Sequence, residues 1–204
     1  MNAVCGGVSR AVAVVLAVGL CGCGATPRLQ PLTPDSVVLA FGDSLTSGMG
    51  AESKESYPAV LAGLLGCKVV NAGLSGEGSA AGAKRLPSLL KAHHPDLVIV
   101  CHGGNDLLHK LADVEIKRRV CEMVKMAQAS GAEVVLVGVP RPDLTLRAPF
   151  FYEEVARECR IPYDGKTVCQ ILSSPSLKSD LIHPNAAGYR SIAESIVEVI
   201  RSHQ

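Results

Sequence analysis

"VVLAFGDSLTSG", residues 37–48, is the stretch on which the reading of the whole chain turns. Val37 to Phe41 run without a polar break, as a short strand buried on both faces requires. The run stops abruptly at Gly42, Asp43 and Ser44. Ser44 therefore stands just past a strand end, where a sheet edge can hold a nucleophile. Asp43 and Ser44 are equally the residue types that open a helix by capping its first N–H groups. The two readings do not exclude each other.

Outward from this stretch the same alternation recurs. Tyr57–Leu65 has helical spacing, and Lys68–Asn71 is a second short strand run. "GSAAGAKRLPSLLKAHH", residues 78–94, reads as a helix that Pro87 kinks or breaks. Leu97–Cys101 is a run of β-favouring residues, and Asp113–Ser130 is a long amphipathic helix closed by Gly131. Val134–Val139 is another buried-strand run; Glu153–Arg160 and Asn185–Ser202 read as helices. Short apolar strands alternating with helices imply βαβ units and a parallel sheet. The expected fold class is α/β: a single doubly wound three-layer α/β/α domain around a parallel sheet of about five strands. In such folds ligands bind beyond the carboxyl ends of the strands, so site residues should follow strand runs.

The 204 residues suit one domain of ordinary size, with 48% apolar and 19% charged residues. The net charge of +1, without a basic block and with few aromatics, gives no footprint for nucleic acid. The first segment is different in kind. One basic residue, Arg10, precedes an apolar run from Ala11 that is too short to span a bilayer, and small residues and cysteines follow. That is the plan of an export signal. The expected organisation is an export signal at 1–22, a linker at 23–35 and a folded domain at 36–204. "LCGC", Leu20 to Cys23, also resembles the cleavage box of bacterial lipoproteins. The resemblance implies a lipid on Cys23, anchoring to a membrane, and a periplasmic location in a bacterium.

Five cysteines remain beyond Cys23: Cys67, Cys101, Cys121, Cys159 and Cys169. With no Cys-x-x-Cys and no paired histidine spacing, a zinc site is not expected. Cys101 ends an apolar run and reads as a buried small residue. Cys159 and Cys169 are near in sequence and are candidates for a bridge in an oxidising compartment.

The polar residues cluster after the strand runs. Ser44 follows the first, "NAGLSGEGS" (71–79) the second and "HGGND" (102–106) the third. Far downstream, "SDLIHPN" (179–185) precedes the last helix. Asp180 and His183 are three apart, so one turn can bring a carboxylate to an imidazole, fixing its tautomer and stabilising its cation. Ser44, His183 and Asp180 thus supply a nucleophile, a base and an orienting acid. Candidate donors to an oxyanion are the N–H of Ser44, the N–H of Gly76 and the side-chain amide of Asn105. Asp43 reads as a hydrogen-bonding turn residue and Asp106 as a holder of the loop presenting Asn105. His102 and His109 flank that loop as structural or solvated residues, and His93 and His94 close a helix. "GEGSAAG" (76–82) has one residue too many for a dinucleotide fingerprint and follows the second strand, not the first.

These blocks resemble the SGNH (GDSL) hydrolase superfamily. "GDSL" (42–45), "NAGLSG" (71–76), "GGND" (103–106) and "DLIHPN" (180–185) each match one of its blocks, in order. "AKRLPSLLKAHHPDLVIV" is similar to the bacterial periplasmic acyl-CoA thioesterase, lysophospholipase and arylesterase branch. The resemblance implies a flavodoxin-like SGNH fold, catalytic Ser44, Asp180 and His183, and an oxyanion hole of Ser44, Gly76 and Asn105. It also implies hydrolysis of acyl esters or thioesters of small molecules or lipids, with no metal or organic cofactor. Carbohydrate O-deacetylation on the same scaffold is an alternative, and non-catalytic binding of lipid or glycan a more distant one. Leu144, Leu146, Phe150 and Phe151, in the loop after the fourth strand, either wall an acyl pocket or cover the core.

Overall fold

The computed structural model describes residues 27–204. The expected export signal and Cys23 lie outside the described residues. Five strands form one sheet: β1 (Val37–Gly42), β2 (Lys68–Gly73), β3 (Leu97–Cys101), β4 (Glu133–Val137) and β5 (Tyr163–Asp164). Every neighbouring pair is parallel, and the order is β2-β1-β3-β4-β5. Parallel strands carry helices on both faces, so their inner members must be apolar on both faces. Val38–Phe41 and Val98–Val100 are accordingly fully buried.

Among the described residues eight α-helices cover the sheet: α1 (Ser44–Ser47), α2 (Tyr57–Leu65), α3 (Ser79–His93), α4 (Gly104–Leu108), α5 (Asp113–Ala129), α6 (Phe151–Cys159), α7 (Thr167–Ser173) and α8 (Ala186–Ser202). α2 packs on α8, and α8 on α7; α5 packs between α3 and α6. These two groups are the outer layers of the sandwich. The chain winds from β1 to β2 on one side, then returns past β1 to β3. The strand order therefore reverses between β1 and β3, which opens a crevice at their carboxyl ends.

Several boundaries differ from the sequence reading. α3 runs unbroken through Pro87. Its buried positions are Ser79, Gly82, Ala83, Leu86 and Leu90, and Pro87 lies on the exposed side, where its ring meets no core neighbour. β4 ends at Val137, two residues before the end of the apolar run, although Gly138 N–H still donates to the Asp164 carbonyl of β5 at 2.8 Å. β5 is only two residues long, and α7 has no counterpart in the sequence reading. Cys121 on α5 and Cys159 on α6 face each other with sulfurs 3.8 Å apart, so the neighbour of Cys159 is Cys121 rather than Cys169. Cys169 instead donates to the Gly165 carbonyl.

The two ends of the described chain meet where the strands begin. Leu29 N–H donates to the His203 carbonyl at 2.7 Å, and Gln30 N–H to the Glu133 carboxylate at 2.9 Å. Gln204 Nε2 returns to the Gln30 carbonyl at 3.3 Å.

Candidate active site

Ser44 is the first residue of α1, immediately past β1. Asp43 caps that helix, its Oδ1 accepting the Leu45 N–H at 3.1 Å. Strand-end serine and helix start are thus the same place. The Asp43 side chain is buried, and its Oδ2 has no hydrogen-bond partner among the described residues. Burial raises its carboxyl above the ordinary value, against the opposing effects of His102 and the Leu45 N–H.

His183 reaches Ser44 from the segment before α8. Its Nε2 lies 3.0 Å from Ser44 Oγ, and its Nδ1 lies 2.8 Å from Asp180 Oδ2. A carboxylate only accepts, so Nδ1 carries the proton and Nε2 is free to accept one from the serine. Asp180 Oδ1 takes the N–H groups of Ile182 and His183, each at 2.8 Å. This tight local turn is why a spacing of three suffices. Although desolvation opposes it, bonding from His183 and those N–H groups keeps the Asp180 carboxyl below its ordinary value. Ser179 Oγ donates to the His183 carbonyl, and Tyr189 OH donates to the Met49 carbonyl at 2.7 Å, fastening this segment and α8 beside α1.

The three candidate oxyanion donors follow the ends of three strands, β1, β2 and β3, at the same edge of the sheet. Ser47 Oγ and Ser75 Oγ are 2.8 Å apart, which draws the loop after β2 against α1. Gly76 in that loop has φ +79°, a left-handed conformation that favours glycine. The N–H groups of Ser44 and Gly76 have no protein acceptor among the described residues. Asn105, in α4, gives one amide hydrogen to the Glu77 carbonyl at 3.1 Å, leaving its second free. Asp106 beside it is buried and accepts from Ser79 N–H at 2.7 Å, Ser79 Oγ at 2.9 Å and Arg119 at 3.3 Å.

Glu77 is also buried. Its carboxylate takes Arg85 Nε at 2.8 Å and Nη2 at 2.6 Å, and meets His102 Nε2 at 3.3 Å. Burial works to raise this carboxyl, but Arg85 and His102 together outweigh it and hold it down at about 2. His102 is fully buried and does not line the cleft; His109 caps the end of α4.

Ser44 and Asn105 open on a cleft walled by Leu45, Leu108, Val139, Leu146, Leu172 and Ile182. Of the four proposed pocket residues, only Leu146 is among its walls. Leu144 is fully exposed. Phe150 is 61% exposed and faces a separate depression beside Tyr163. Phe151 is 5% exposed, turned into the core as the first residue of α6 and stacked near Tyr152. The helix start explains the difference: adjacent residues point to different sides of it. Leu172, Leu108 and Ile182 escaped the sequence reading because they come from three separate segments. Ile182 alone had a signal, standing between Asp180 and His183.

A parallel α/β/α sandwich with a serine at the end of its first strand and a histidine before its last helix has the layout of the SGNH hydrolases. The chain belongs to the GDSL-like lipase/acylhydrolase family, whose model matches residues 40–191. Over 128 residues it is 35% identical to the esterase TesA of Pseudomonas aeruginosa, a match covering 60% of this chain and 64% of that protein. It is 31% identical over 165 residues to thioesterase 1/protease 1/lysophospholipase L1 of Escherichia coli, covering 77% and 79% of the two chains. A crystal structure of a protein named TesA superposes with a TM-score of 0.75 at 27% identity, covering 83% of this chain and 100% of that one. Among the described residues no helix is long and apolar enough to cross a membrane.

Proposed function

We propose that the protein is a serine esterase that hydrolyses acyl esters or thioesters, lysophospholipids among them, through an acyl-enzyme at Ser44. The observation that carries this reading is the continuous contact Ser44–His183–Asp180 at the mouth of an apolar cleft. His183 Nε2 takes the Ser44 proton as Oγ attacks the acyl carbonyl, and Asp180 stabilises the imidazolium. The N–H groups of Ser44 and Gly76 and the free amide hydrogen of Asn105 receive the oxyanion. His183 then returns its proton to the departing alcohol or thiol, and water releases the acid by the reverse sequence. The apolar cleft takes the acyl chain, with Leu146 as one wall.

The esterase and thioesterase names of the relatives support this substrate class. In the same reading, residues 36–204 are the hydrolase domain, 1–22 direct export to the periplasm, and a lipid on Cys23 anchors the enzyme to a membrane. Metabolic labelling with a palmitate analogue, with Cys23→Ser as control, tests the anchor.

The decisive test is turnover of p-nitrophenyl esters, acyl-CoAs and lysophospholipids by the mature chain, together with labelling by a fluorophosphonate. Ser44→Ala should abolish both turnover and labelling. Turnover near that of the parent in this variant would overturn the mechanism.

A further inference from the structure

We propose that Glu77 is a positioning residue that clamps together the two loops carrying Gly76 and Asn105, and so sets the geometry of the oxyanion hole. The inference rests on the reading of those two residues as oxyanion donors given above.

Glu77 is the point where the loops meet. Its backbone carbonyl holds the Asn105 amide at 3.1 Å, and its carboxylate meets the ring of His102, three residues before Asn105, at 3.3 Å. Glu77 itself directly follows Gly76. One residue therefore bonds the neighbouring loop through both its main chain and its side chain.

Each contact is fixed from behind. His102 Nδ1 accepts the Gly103 N–H at 2.9 Å, so the ring proton is on Nε2 and points at Glu77. The His102 carbonyl accepts from Tyr152 OH at 2.8 Å. Arg85 grips the carboxylate with two N–H groups and also donates to the Ala72 carbonyl on β2 at 3.0 Å. Its guanidinium lies over the Phe41 ring at 4.7 Å, and that ring is 5.6 Å from His102. Gly82 leaves room for the assembly, since a Cβ there would run into the His102 ring. The clamp is thus tied to β1, β2, α3 and α6.

Stability alone is a poor reason for this arrangement. Burying a carboxylate costs desolvation, and apolar replacements of buried ion pairs are often no less stable. What the cluster does provide is a single allowed relation between the loops. An oxyanion donor must be aligned before the charge develops, and small misplacements are costly in rate.

The test is a double-mutant cycle between Glu77→Gln and Asn105→Ala, read with a soluble p-nitrophenyl ester. Asn105→Ala should lower kcat about 10²–10³-fold, the usual cost of one oxyanion donor. Glu77→Gln should lower kcat about tenfold or more with KM changed little, the mark of an interaction made in the transition state. Added to Asn105→Ala, it should cost less than about threefold further, because residues acting through one another are not additive. An equal loss in both backgrounds, or kcat for Glu77→Gln within about twofold of the parent, overturns the clamp. A kcat for Asn105→Ala within about twofold of the parent overturns the reading of the donors, and the clamp with it. If Glu77→Gln does not fold, Arg85→Gln removes the grip from the more exposed side and should show the same non-additivity.

Discussion

Ser44 Oγ and His183 Nε2 stand 3.0 Å apart although 139 residues separate them in the chain. Only the complete winding of the sheet, from β1 to the segment before α8, creates this contact. Asp180 completes the chain of hydrogen bonds from a partly exposed position. Asp180→Asn should keep the turn that gathers the Ile182 and His183 N–H groups but favour the wrong imidazole tautomer. The expected loss in kcat is about 10²–10⁴-fold, with little change in thermal stability. Steady-state kinetics beside a melting curve separate the two effects.

The cleft walls predict a contrast between neighbours in one loop. Leu146→Ala should shift preference among acyl chain lengths by about tenfold, the scale of a methylene group or two in an apolar pocket. Phe150→Ala, on a separate depression, should leave the profile unchanged. A series of p-nitrophenyl esters from acetate to decanoate measures both.

Glu77 also makes a pH prediction. Its carboxyl is held at about 2 in the fold against an ordinary 4.5. A carboxyl lowered in the fold binds fewer protons there than when unfolded, so its contribution is complete above about pH 5 and is lost as pH falls toward 2. Urea unfolding across that range should show up to about 3 kcal/mol of acid-linked loss in the parent, and a shallower slope in Glu77→Gln. Equal slopes would contradict the assignment.

Tyr152 is fully buried and gives its hydroxyl hydrogen to the His102 carbonyl. Tyr152→Phe removes one buried hydrogen bond at nearly constant volume. The expected cost is about 1–2 kcal/mol, or about 3–6 °C in Tm for a chain of this size. Differential scanning calorimetry checks it.

The cysteine geometry predicts a pairing. In a glutathione redox buffer, peptide mapping without reductant should find Cys121 joined to Cys159 before any link to Cys169. The exchange should be slow at neutral pH, since burial and the neighbouring Cys121 push the Cys159 thiol up to about 11.

What could be read from the residues follows the range of the forces involved. β1 and β3 were legible because a strand buried on both faces is a continuous apolar run. Tyr163–Asp164 was not, because two residues joined to β4 by main-chain bonds leave no pattern of side chains. Pro87 looked like a helix breaker because its exposure, which makes it tolerable, is a tertiary fact. The meeting of Asp180 with His183 was legible from their spacing, but its extension to Ser44 was not: the segment before α8 follows no strand run, and only the fold carries it across 139 residues to the serine. The cleft walls were not legible: Leu108, Leu146 and Leu172 converge from separate segments, while Phe150 and Phe151 look alike and part at a helix start. His102 looked bland for the same reason, since its partners Glu77 and Arg85 belong to the loop and helix before its strand.

The pairing of Leu29 with His203 and of Gln30 with Gln204 holds both ends of the described chain at the edge where the strands begin. Ser44, Asn105 and His183 occupy the opposite edge. Each described end of the chain therefore lies across the sheet from the cleft. A solid support or fusion partner joined at Gln204 is thus attached at the edge of the sheet opposite Ser44.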